Sequence, residues 1–202
     1  MTKGTLYIIS APSGTGKGTI VAELLKADPN IHFSVSATTR SPREGEQNGV
    51  NYYFIDRNEF SELIENGGML EYAEFCGNLY GTPKKPVYDK LNEGHDVILE
   101  IETVGAYKVM EACPDAVSIF ILPPSLKALR HRLEKRGTET PEVIERRVAE
   151  AEGEIKKAFR YDYAVINDDL DKAVEDVRAL MKFAKKMKNT KNEMIEGVLK
   201  QC

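Results

Sequence analysis

The chain has 202 residues, of which 42% are hydrophobic and 30% are charged, a composition typical of a globular protein with one core. The formal net charge is −4, so bulk charge gives no reason to expect nucleic acid or an anionic membrane as partner. Three cysteines, Cys76, Cys113 and Cys202, lie far apart and form no metal-ligand spacing, which predicts a reducing compartment. No segment approaches the roughly 18 apolar residues of a membrane span. We therefore expect a cytoplasmic protein that binds neither nucleic acid nor membrane.

Short apolar runs predict the strands of a buried parallel sheet, because such strands are covered on both faces. The predicted strands are Leu6–Ile9, Val97–Ile101, Val117–Leu122 and Tyr163–Ile166. Helical patterns alternate with them: one follows the first strand, one covers Leu126–Lys135, one opens at Pro141, and one runs from Leu170 into the lysine-rich tail. This alternation predicts an α/β fold with right-handed crossovers.

Residues 32–96 interrupt the alternation. The segment FSVSATTRSPREGEQNGVNYYFI predicts strands joined by a turn at EQNG, and RNEFSELIENGG predicts a short helix ended by two glycines. LEYAEFCGNLYGTP alternates again and stops at Pro83. We interpret this part of the chain as an inserted mixed β subdomain.

The stretch SAPSGTGKGT, residues 10–19, lies between the first predicted strand and the first predicted helix. Gly14 and Gly16 allow a turn whose backbone N–H groups surround a concavity at the helix N-terminus, and Lys17 adds positive charge. An ordinary strand–helix turn explains the glycines but not the lysine, so the sequence predicts a phosphate site. Ala11 stands in place of the usual first glycine, and Gly18 replaces the residue whose hydroxyl contacts Mg²⁺.

The segment SATTRSPREGE places Arg40 and Arg43 on one loop, just before Tyr52 and Tyr53. Arginines three apart can both reach one phosphate, since the guanidinium fork matches phosphate oxygens. A solvated loop with loose surface arginines explains the same pattern equally well.

Carboxylates also follow the predicted strands. Glu71 lies in LEYAEFCGNLYGT with Tyr80 and Thr82, and Glu100 and Glu102 close the apolar strand VILEIE. Residues i and i+2 share one face of a strand, at the carboxyl end where α/β sheets bind ligands. Salt bridges at a strand end are the alternative, and we favour ligand contact only modestly.

A cationic segment, RHRLEKRGTETPEVIERR, contains Arg132 and Arg136 four apart on one predicted helix, and Arg146 and Arg147 on the next. It is interpreted as an RNA-binding face, a solvated ion-pair surface or a mobile lid over phosphates. The interleaved glutamates argue against nucleic acid.

Taken together, these segments resemble the guanylate kinases, which transfer the γ-phosphoryl group of ATP to GMP. The resemblance covers residues 11 to about 173 and includes SAPSGTGKGT, FSVSATTRSPREGEQNGVNYYF, EYAEFCGNLYGT, IFILPPS, LEKRGTET and INDD in that order. It implies one domain, 1–202, with an α/β core formed by a P-loop parallel sheet and helices on both faces. The implied parts are the core (about 1–31, 97–125 and 160–202), an inserted mixed β GMP-binding subdomain (about 32–96) and a helical lid (about 126–159).

The resemblance also implies roles for individual residues. GMP would be held by Ser36, Arg40, Arg43, Tyr52, Glu71, Tyr80, Thr82, Glu100 and Glu102. ATP would be held by Ala11, Pro12, Ser13, Gly14, Thr15, Gly16, Lys17, Gly18 and Thr19, with Asn167 facing adenine. The groups acting on the transferring phosphoryl would be Lys17, Arg40, Arg132, Arg136 and Arg147. Within the GMP set, Arg40, Arg43, Tyr52 and Tyr80 match the phosphate grip, and Glu71 and Glu102 match the residues that read the base.

The implied activity is ATP-dependent phosphorylation of GMP, and also of dGMP, in purine nucleotide metabolism. No residue is a certain metal ligand: we expect ATP phosphates and waters to hold Mg²⁺, with Thr19 or Glu100 as candidates. The chain departs from the family pattern, which usually has aspartate at positions 100 and 102 and serine at position 18. Neither monomer nor homodimer is favoured.

Two other classes remain open. A non-catalytic guanylate-kinase-like interaction module would share the fold, but such modules have lost phosphate-binding residues, whereas Lys17, Arg40 and Arg43 are all present here. A P-loop kinase for another small phosphorylated substrate is the second alternative. Glu71 and Glu102, together with the tyrosines, argue against it.

Overall fold

The computed structural model describes residues 3–137 and 139–199, without the side chains of Arg136 and of 188–189, 191–193 and 195–199. The strands are β1 (Leu6–Ser10), β2 (Ile31–Phe33), β3 (Ala37–Thr38), β4 (Tyr53–Phe54), β5 (Met69–Phe75), β6 (Asn78–Pro83), β7 (Asp96–Glu100), β8 (Val117–Leu122) and β9 (Tyr163–Ile166). The α-helices are α1 (Lys17–Ala27), α2 (Arg57–Glu65), α3 (Lys84–Asn92), α4 (Thr103–Ala112), α5 (Leu126–Arg136), α6 (Pro141–Lys157) and α7 (Leu170–Leu199). None of these helices combines the length and the apolar character that crossing a membrane requires.

The chain divides into two compact units. The first contains the described residues up to Ser10 together with Leu25–Ala116, and the second contains Ala11–Leu24 and the described residues from Val117 onward. The predicted α/β fold with parallel strands and a mixed β insertion is confirmed, since both kinds of sheet are present.

Parallel strands form the core of the first unit, where β7 lies between β2 and β1. Tyr7, Ile8 and Ile9 of β1 are fully buried, as expected of a strand that is covered on both faces. The buried Asp96 at the start of β7 accepts a hydrogen bond from the backbone N–H of Thr5 at 2.8 Å. Helix α3 contacts β7, and α4 contacts β1.

The first unit also contains a mixed sheet with the order β4-β3-β6-β5. Strands β3 and β4 pair in parallel, whereas β6 pairs antiparallel with both β3 and β5. Phe60 of α2 packs with Ala37 and Met69 in an apolar cluster below this sheet. Asp56 caps α2 by accepting from two backbone N–H groups, and the chain turns away at Gly67, whose φ is 63°. The predicted short helix that ends at two glycines is therefore confirmed.

In the second unit, β8 and β9 form a parallel pair, and α5 packs against α6. The contact between these helices is apolar and consists of Leu129, Leu133, Ile144, Val148 and Ala151. Helix α5 begins at the N-cap Ser125 and ends before Gly137, which adopts the left-handed conformation with φ 65°. Helix α6 opens at Pro141, as the sequence predicts.

The structure differs from the sequence prediction in four elements. Strand β2 and helices α3 and α4 were not predicted, and the predicted strand ending at Ile101 ends at Glu100. Glu102 consequently lies outside the strand, at the N-cap of α4, so the argument from strand alternation was wrong for this residue. The physical reason is that α4 starts at Thr103, where the backbone leaves the extended conformation.

Candidate functional site

A cavity of about 320 Å³ lies in the first unit, bordered by β5, β6, the end of β7 and the start of α4. Six of the predicted binding residues line it: Ser36, Tyr52, Glu71, Tyr80, Glu100 and Glu102. Phe75, Val104 and Gly105 line it as well and were not predicted. The cavity is thus rich in carboxylates and aromatic rings.

Glu71 is the most buried of these carboxylates, with 9% of its surface exposed. Its Oε1 accepts a hydrogen bond of 2.7 Å from the hydroxyl of Thr82 on the neighbouring strand β6. Burial raises the pKa of Glu71, while the Thr82 hydrogen bond and the charge of Lys108 oppose the rise and Glu102 adds to it. A buried carboxylate held in this way is a fixed acceptor for N–H donors of a ligand.

Arg40 is held by Glu46, a residue that was not predicted. The Arg40 Nη2 donates to Glu46 Oε1 at 2.9 Å, and the backbone N–H of Arg43 donates to Glu46 Oε2 at 2.7 Å. Hydrogen bonding to Arg40 lowers the pKa of the Glu46 carboxyl. The loop is therefore ordered around one carboxylate, and its two arginines differ: the Arg40 side chain is 15% exposed, whereas Arg43 is exposed.

Aromatic rings flank Arg40. Its guanidinium carbon lies 5.6 Å from the ring centroid of Tyr52, and the rings of Tyr52 and Tyr80 meet edge to face at 6.0 Å. Burial, and after it the neighbouring Tyr80, raises the pKa of Tyr52, which keeps that hydroxyl protonated and able to donate. One arginine and two tyrosines thus form the kind of site that accepts phosphate oxygens.

The glycine-rich loop lies in the second unit and leads into α1. Gly14 and Gly16 have φ values of 88° and 93°, conformations that side chains rarely adopt. The backbone N–H of Thr15 donates to the carbonyl of Pro12 at 3.2 Å, which closes the turn. Lys17 is the first residue of α1, so its side chain and the backbone N–H groups of the first helical turn lie at the same end of the helix.

The same loop carries the remaining predicted ATP contacts. Ser13, Gly18 and Thr19 are exposed, whereas Ala11 is half-buried and Pro12 is buried. Thr15 is fully buried, and its hydroxyl has no hydrogen-bond partner among the described residues. The loop therefore presents backbone groups and short side chains to the surface, as a phosphate cradle must.

The side chain of Asn167, the residue directly after β9, supports the glycine-rich loop. Its side-chain amide donates to the carbonyl of Thr15 at 2.7 Å, and only 5% of the residue is exposed. A β-carbon at Gly16 would lie 2.6 Å from the Asn167 amide nitrogen, so only glycine fits that position. The sequence predicted Asn167 for adenine; the structure directs its amide N–H to the loop.

Two of the three predicted lid arginines contact the glycine-rich loop or Asn167, the residue that supports it. Arg132 Nη2 donates to the carbonyl of Asn167 at 2.8 Å, and Arg147 Nη1 donates to the hydroxyl of Ser13 at 3.2 Å. Arg147 also pairs with Glu139 at 2.8 Å. The side chain of Arg136 lies outside the described residues, so its predicted role stays a prediction.

Sequence reasoning could have found some of the missed residues but not others. Glu46 follows Arg43 by three residues in PREGE, a spacing that predicts an ion pair or hydrogen bond within a loop. Gly105 and Lys108 carried no signal, because α4 was not recognised as a helix. No group of three or more His, Cys, Asp or Glu side chains in the described part of the chain could hold a metal ion.

Comparison with known proteins agrees with this geometry. The family model described as guanylate kinase matches residues 3–184. The chain is 51% identical over 181 residues to a guanylate kinase of Carboxydothermus hydrogenoformans, covering 90% of this chain and 89% of the relative. It is 49% identical over 201 residues to a guanylate kinase of Symbiobacterium thermophilum, covering 98% and 95% respectively.

A solved structure gives the same result. The crystal structure of guanylate kinase from Anaplasma phagocytophilum superposes with a TM-score of 0.71 at 37% sequence identity, covering 90% of this chain and 86% of that chain. The family match extends over most of the chain and includes both the carboxylate-lined cavity and the glycine-rich loop. The chain therefore belongs to the guanylate kinase family.

Proposed function

We propose that this protein transfers the γ-phosphoryl group of ATP to GMP, forming ADP and GDP. The observation that carries the proposal is the buried, hydrogen-bonded carboxylate of Glu71 in a cavity that Glu100 and Glu102 also line. The activity named for the relatives supports the same reaction. The residues below are proposed in the roles that the chemistry requires.

Hydrogen bonding to guanine would account for the carboxylates in the cavity. Its N1–H and N2–H₂ groups are adjacent donors, and one carboxylate can accept from both. Adenine presents a bare N1 acceptor at the same edge, which would face carboxylate lone pairs. A site built on such hydrogen bonds rejects an analogue that lacks them by roughly 10⁴-fold. Glu71, supported by Thr82, is the proposed base reader, with Glu102 and Ser36 beside it at the cavity.

The arginine–tyrosine group would hold the phosphate of GMP. Arg40, Tyr52 and Tyr80 lie within contact of one another, and Arg43 is on the same loop. Their N–H and O–H groups can donate to the oxygens of a monophosphate while the base occupies the carboxylate end of the cavity. This arrangement would direct the phosphate oxygen that attacks ATP.

The loop at 11–19 would hold the phosphates of ATP. Its glycines leave backbone N–H groups accessible at the start of α1, and Lys17 adds a charge there. Arg132 and Arg147, which contact the loop and its support, would neutralise charge on the transferring group together with Arg136. Phosphoryl transfer needs alignment and charge neutralisation more than covalent help.

Mg²⁺ is the proposed metal. This ion keeps several waters and takes most of its remaining ligands from substrate phosphates, so one or two protein oxygens suffice. Hydroxyl and carboxylate oxygens, the donor type that Mg²⁺ prefers, are available at the start of α1 and at the end of β7. The proposed protein oxygen is either that of Thr19, exposed in the first turn of α1, or that of Glu100, at the end of β7. The bound ion would offset negative charge on the β- and γ-phosphates.

The division into core, GMP-binding subdomain (about 32–96) and lid (about 126–159) is part of the proposal. Water must be kept from ATP during transfer, which gives a mobile lid a physical purpose. We also propose dGMP as a second substrate and the cytoplasm as the compartment. The exposed Cys76 and half-buried Cys113 are free thiols, in keeping with a reducing environment.

An ADP-release assay with GMP, AMP, CMP and UMP as separate acceptors tests the function. We expect Mg²⁺-dependent turnover with GMP and rates lower by several orders of magnitude with the other three. An interaction module without catalysis would give no turnover with any acceptor. A kinase of another specificity would prefer one of the other nucleotides, and either result would overturn the proposal.

A further inference from the structure

We propose that helix α4 positions the guanine-reading carboxylate: Gly105 leaves the space that the Glu71 side chain occupies, and Lys108 fixes the strand segment that carries it. Both are positioning residues, since neither is proposed to touch the reacting phosphates. The inference rests on the proposed function and deepens it, because it assigns Gly105 and Lys108 the role of positioning the carboxylate that would read guanine. It concerns residues of α4, an element that contributes no predicted binding residue.

Gly105 shows the closeness of the packing. A β-carbon at this position would lie 2.7 Å from Oε2 and 3.1 Å from the carboxyl carbon of Glu71. Real β-carbons do not approach other atoms so closely, so any other residue would displace the carboxylate. Glycine is unfavourable inside a helix, and its presence at a buried position of α4 therefore has a packing reason.

Lys108 lies three residues further along the same helix, on the face that Gly105 also occupies. Its Nζ donates to the carbonyl of Tyr72, the residue after Glu71, at 2.8 Å and lies 5.1 Å from the centroid of the Tyr72 ring. The lysine thus holds the β5 backbone directly beside the carboxylate. Thr82 donates to Oε1 of Glu71 from β6, so groups from two neighbouring elements, β6 and α4, constrain Glu71 and the strand that carries it.

The charge of Lys108 also acts on Glu71. The groups facing this carboxylate are Thr82 from β6, Lys108 from α4 and Glu102 from the α4 N-cap, and Glu100 lines the same cavity. Burial raises the pKa of Glu71, Glu102 raises it further, and the Thr82 hydrogen bond and Lys108 lower it. Only the ionised carboxylate can accept two N–H donors without presenting a proton to them. Lys108 therefore favours the protonation state that binds guanine.

The test measures kcat and KM for GMP between pH 5 and 8 in the full chain and in Lys108→Met. We expect the KM for GMP to rise roughly threefold to tenfold near neutral pH, because the variant loses both the contact to β5 and the charge near Glu71. A tenfold rise corresponds to about 1.4 kcal/mol of binding free energy. The pH below which GMP binding weakens should move upward, because Glu71 then ionises less readily. The kcat at saturating GMP and the KM for ATP should stay close to the wild-type values.

Two further variants separate positioning from general damage. Lys108→Arg keeps the charge and the donor and should restore the wild-type pH profile. Lys85→Met removes an exposed lysine of α3 that pairs with the exposed Asp89, and it should leave GMP binding unchanged. Gly105→Ala should raise the KM for GMP although alanine favours a helix, so its thermal stability should not fall in parallel.

The outcomes are distinguishable. Wild-type GMP turnover together with unchanged KM and pH profile in Lys108→Met and in Gly105→Ala would overturn the inference alone. Absence of GMP turnover in the wild-type protein would overturn the proposed function instead. A rise in the KM for ATP equal to that for GMP would assign α4 a general structural role and would also contradict the inference.

Discussion

The side-chain amide of Asn167 donates a hydrogen bond of 2.7 Å to the main-chain carbonyl of Thr15. Arg132 donates in turn to the carbonyl of Asn167 at 2.8 Å. The end of β9 therefore supports the glycine-rich loop directly, and Gly16 packs so closely that a β-carbon would meet the Asn167 amide. A loop fixed in this way needs little reorganisation when it binds phosphates, which favours affinity.

Replacing Asn167 tests this support. Asn167→Ala should raise the KM for ATP at least roughly fivefold, because the buried Thr15 carbonyl loses its short hydrogen bond from Asn167, a change that costs about 1–3 kcal/mol. The KM for GMP should change little. Steady-state kinetics with each substrate varied in turn measures both constants. Asn92→Ala, at an exposed position in the last turn of α3, serves as control and should behave as wild type.

Glu71→Gln should lose GMP affinity and discrimination between bases while it retains ATP binding. The amide would place a donor against the donors of guanine, or offer one acceptor where two were available. We expect the KM for GMP to rise at least tenfold, a loss of about 1.4 kcal/mol or more. An unchanged KM for GMP would remove Glu71 from the base site.

The same substitution should raise the stability of the unliganded protein. The pKa of Glu71 is raised in the folded state, mainly by burial, so the stability associated with its protonated form is lost as pH rises through the folded pKa. Glutamine stays neutral and can still accept from Thr82. Urea unfolding should therefore show that the variant exceeds the wild type in free energy of unfolding by more at pH 8 than at pH 5. An advantage confined to pH 5 would contradict this assignment.

Glu46 should strengthen binding of the GMP phosphate, because it orders the loop that carries Arg40 and Arg43. Glu46→Gln removes the charge that holds Arg40 and Arg43 on one loop, and we expect the KM for GMP to rise several-fold. Because Arg40 lowers the pKa of Glu46, the contribution of the carboxylate to stability should persist until the pH falls through that lowered value. Glu44→Gln, at an exposed position in the same loop, is the matched control. Equal behaviour of the two variants would exclude the proposed role of Glu46.

The glycine at position 18 should not prevent catalysis. Gly18→Ser should retain Mg²⁺-dependent phosphorylation of GMP with only a small change in kcat, because phosphates and waters can supply the metal ligands. Lys17→Ala should nearly abolish turnover, since Lys17, the first residue of α1, supplies the charge proposed to act on the ATP phosphates. Activity that appears only in Gly18→Ser would mean that the loop of the natural protein does not support catalysis.

Much of the fold was predictable because its strands are apolar runs. The predicted segments match β1, β7, β8 and β9 closely. Pro141 opens a helix because its fixed φ suits the first turn, and Gly137 follows the end of one because glycine readily adopts a positive φ. Helix α4 was missed because TVGAYKVMEA begins with two β-branched residues and a glycine, all weak helix formers. Packing against β1 and β5 stabilises it, and local sequence does not report that contact.

The candidate site also has features that the sequence predicted and features that it did not. The resemblance grouped residues as distant as Ser36 and Glu102, and in the structure both line one cavity. It did not predict that Glu46 holds Arg40 or that Asn167 holds the loop, because these are contacts between protein groups and depend on side-chain geometry. Gly105 illustrates the limit: its significance lies in an empty volume beside Glu71, which no pattern along the chain reveals.

The most direct measurement compares kcat/KM for GMP, IMP and AMP with the purified protein at saturating Mg²⁺ and ATP. IMP keeps the N1–H of guanine but lacks the 2-amino group, whereas AMP lacks both donors. Recognition through Glu71 predicts the order GMP, then IMP, then AMP, with each lost donor lowering kcat/KM by about tenfold or more. Comparable values for GMP and AMP would contradict the account.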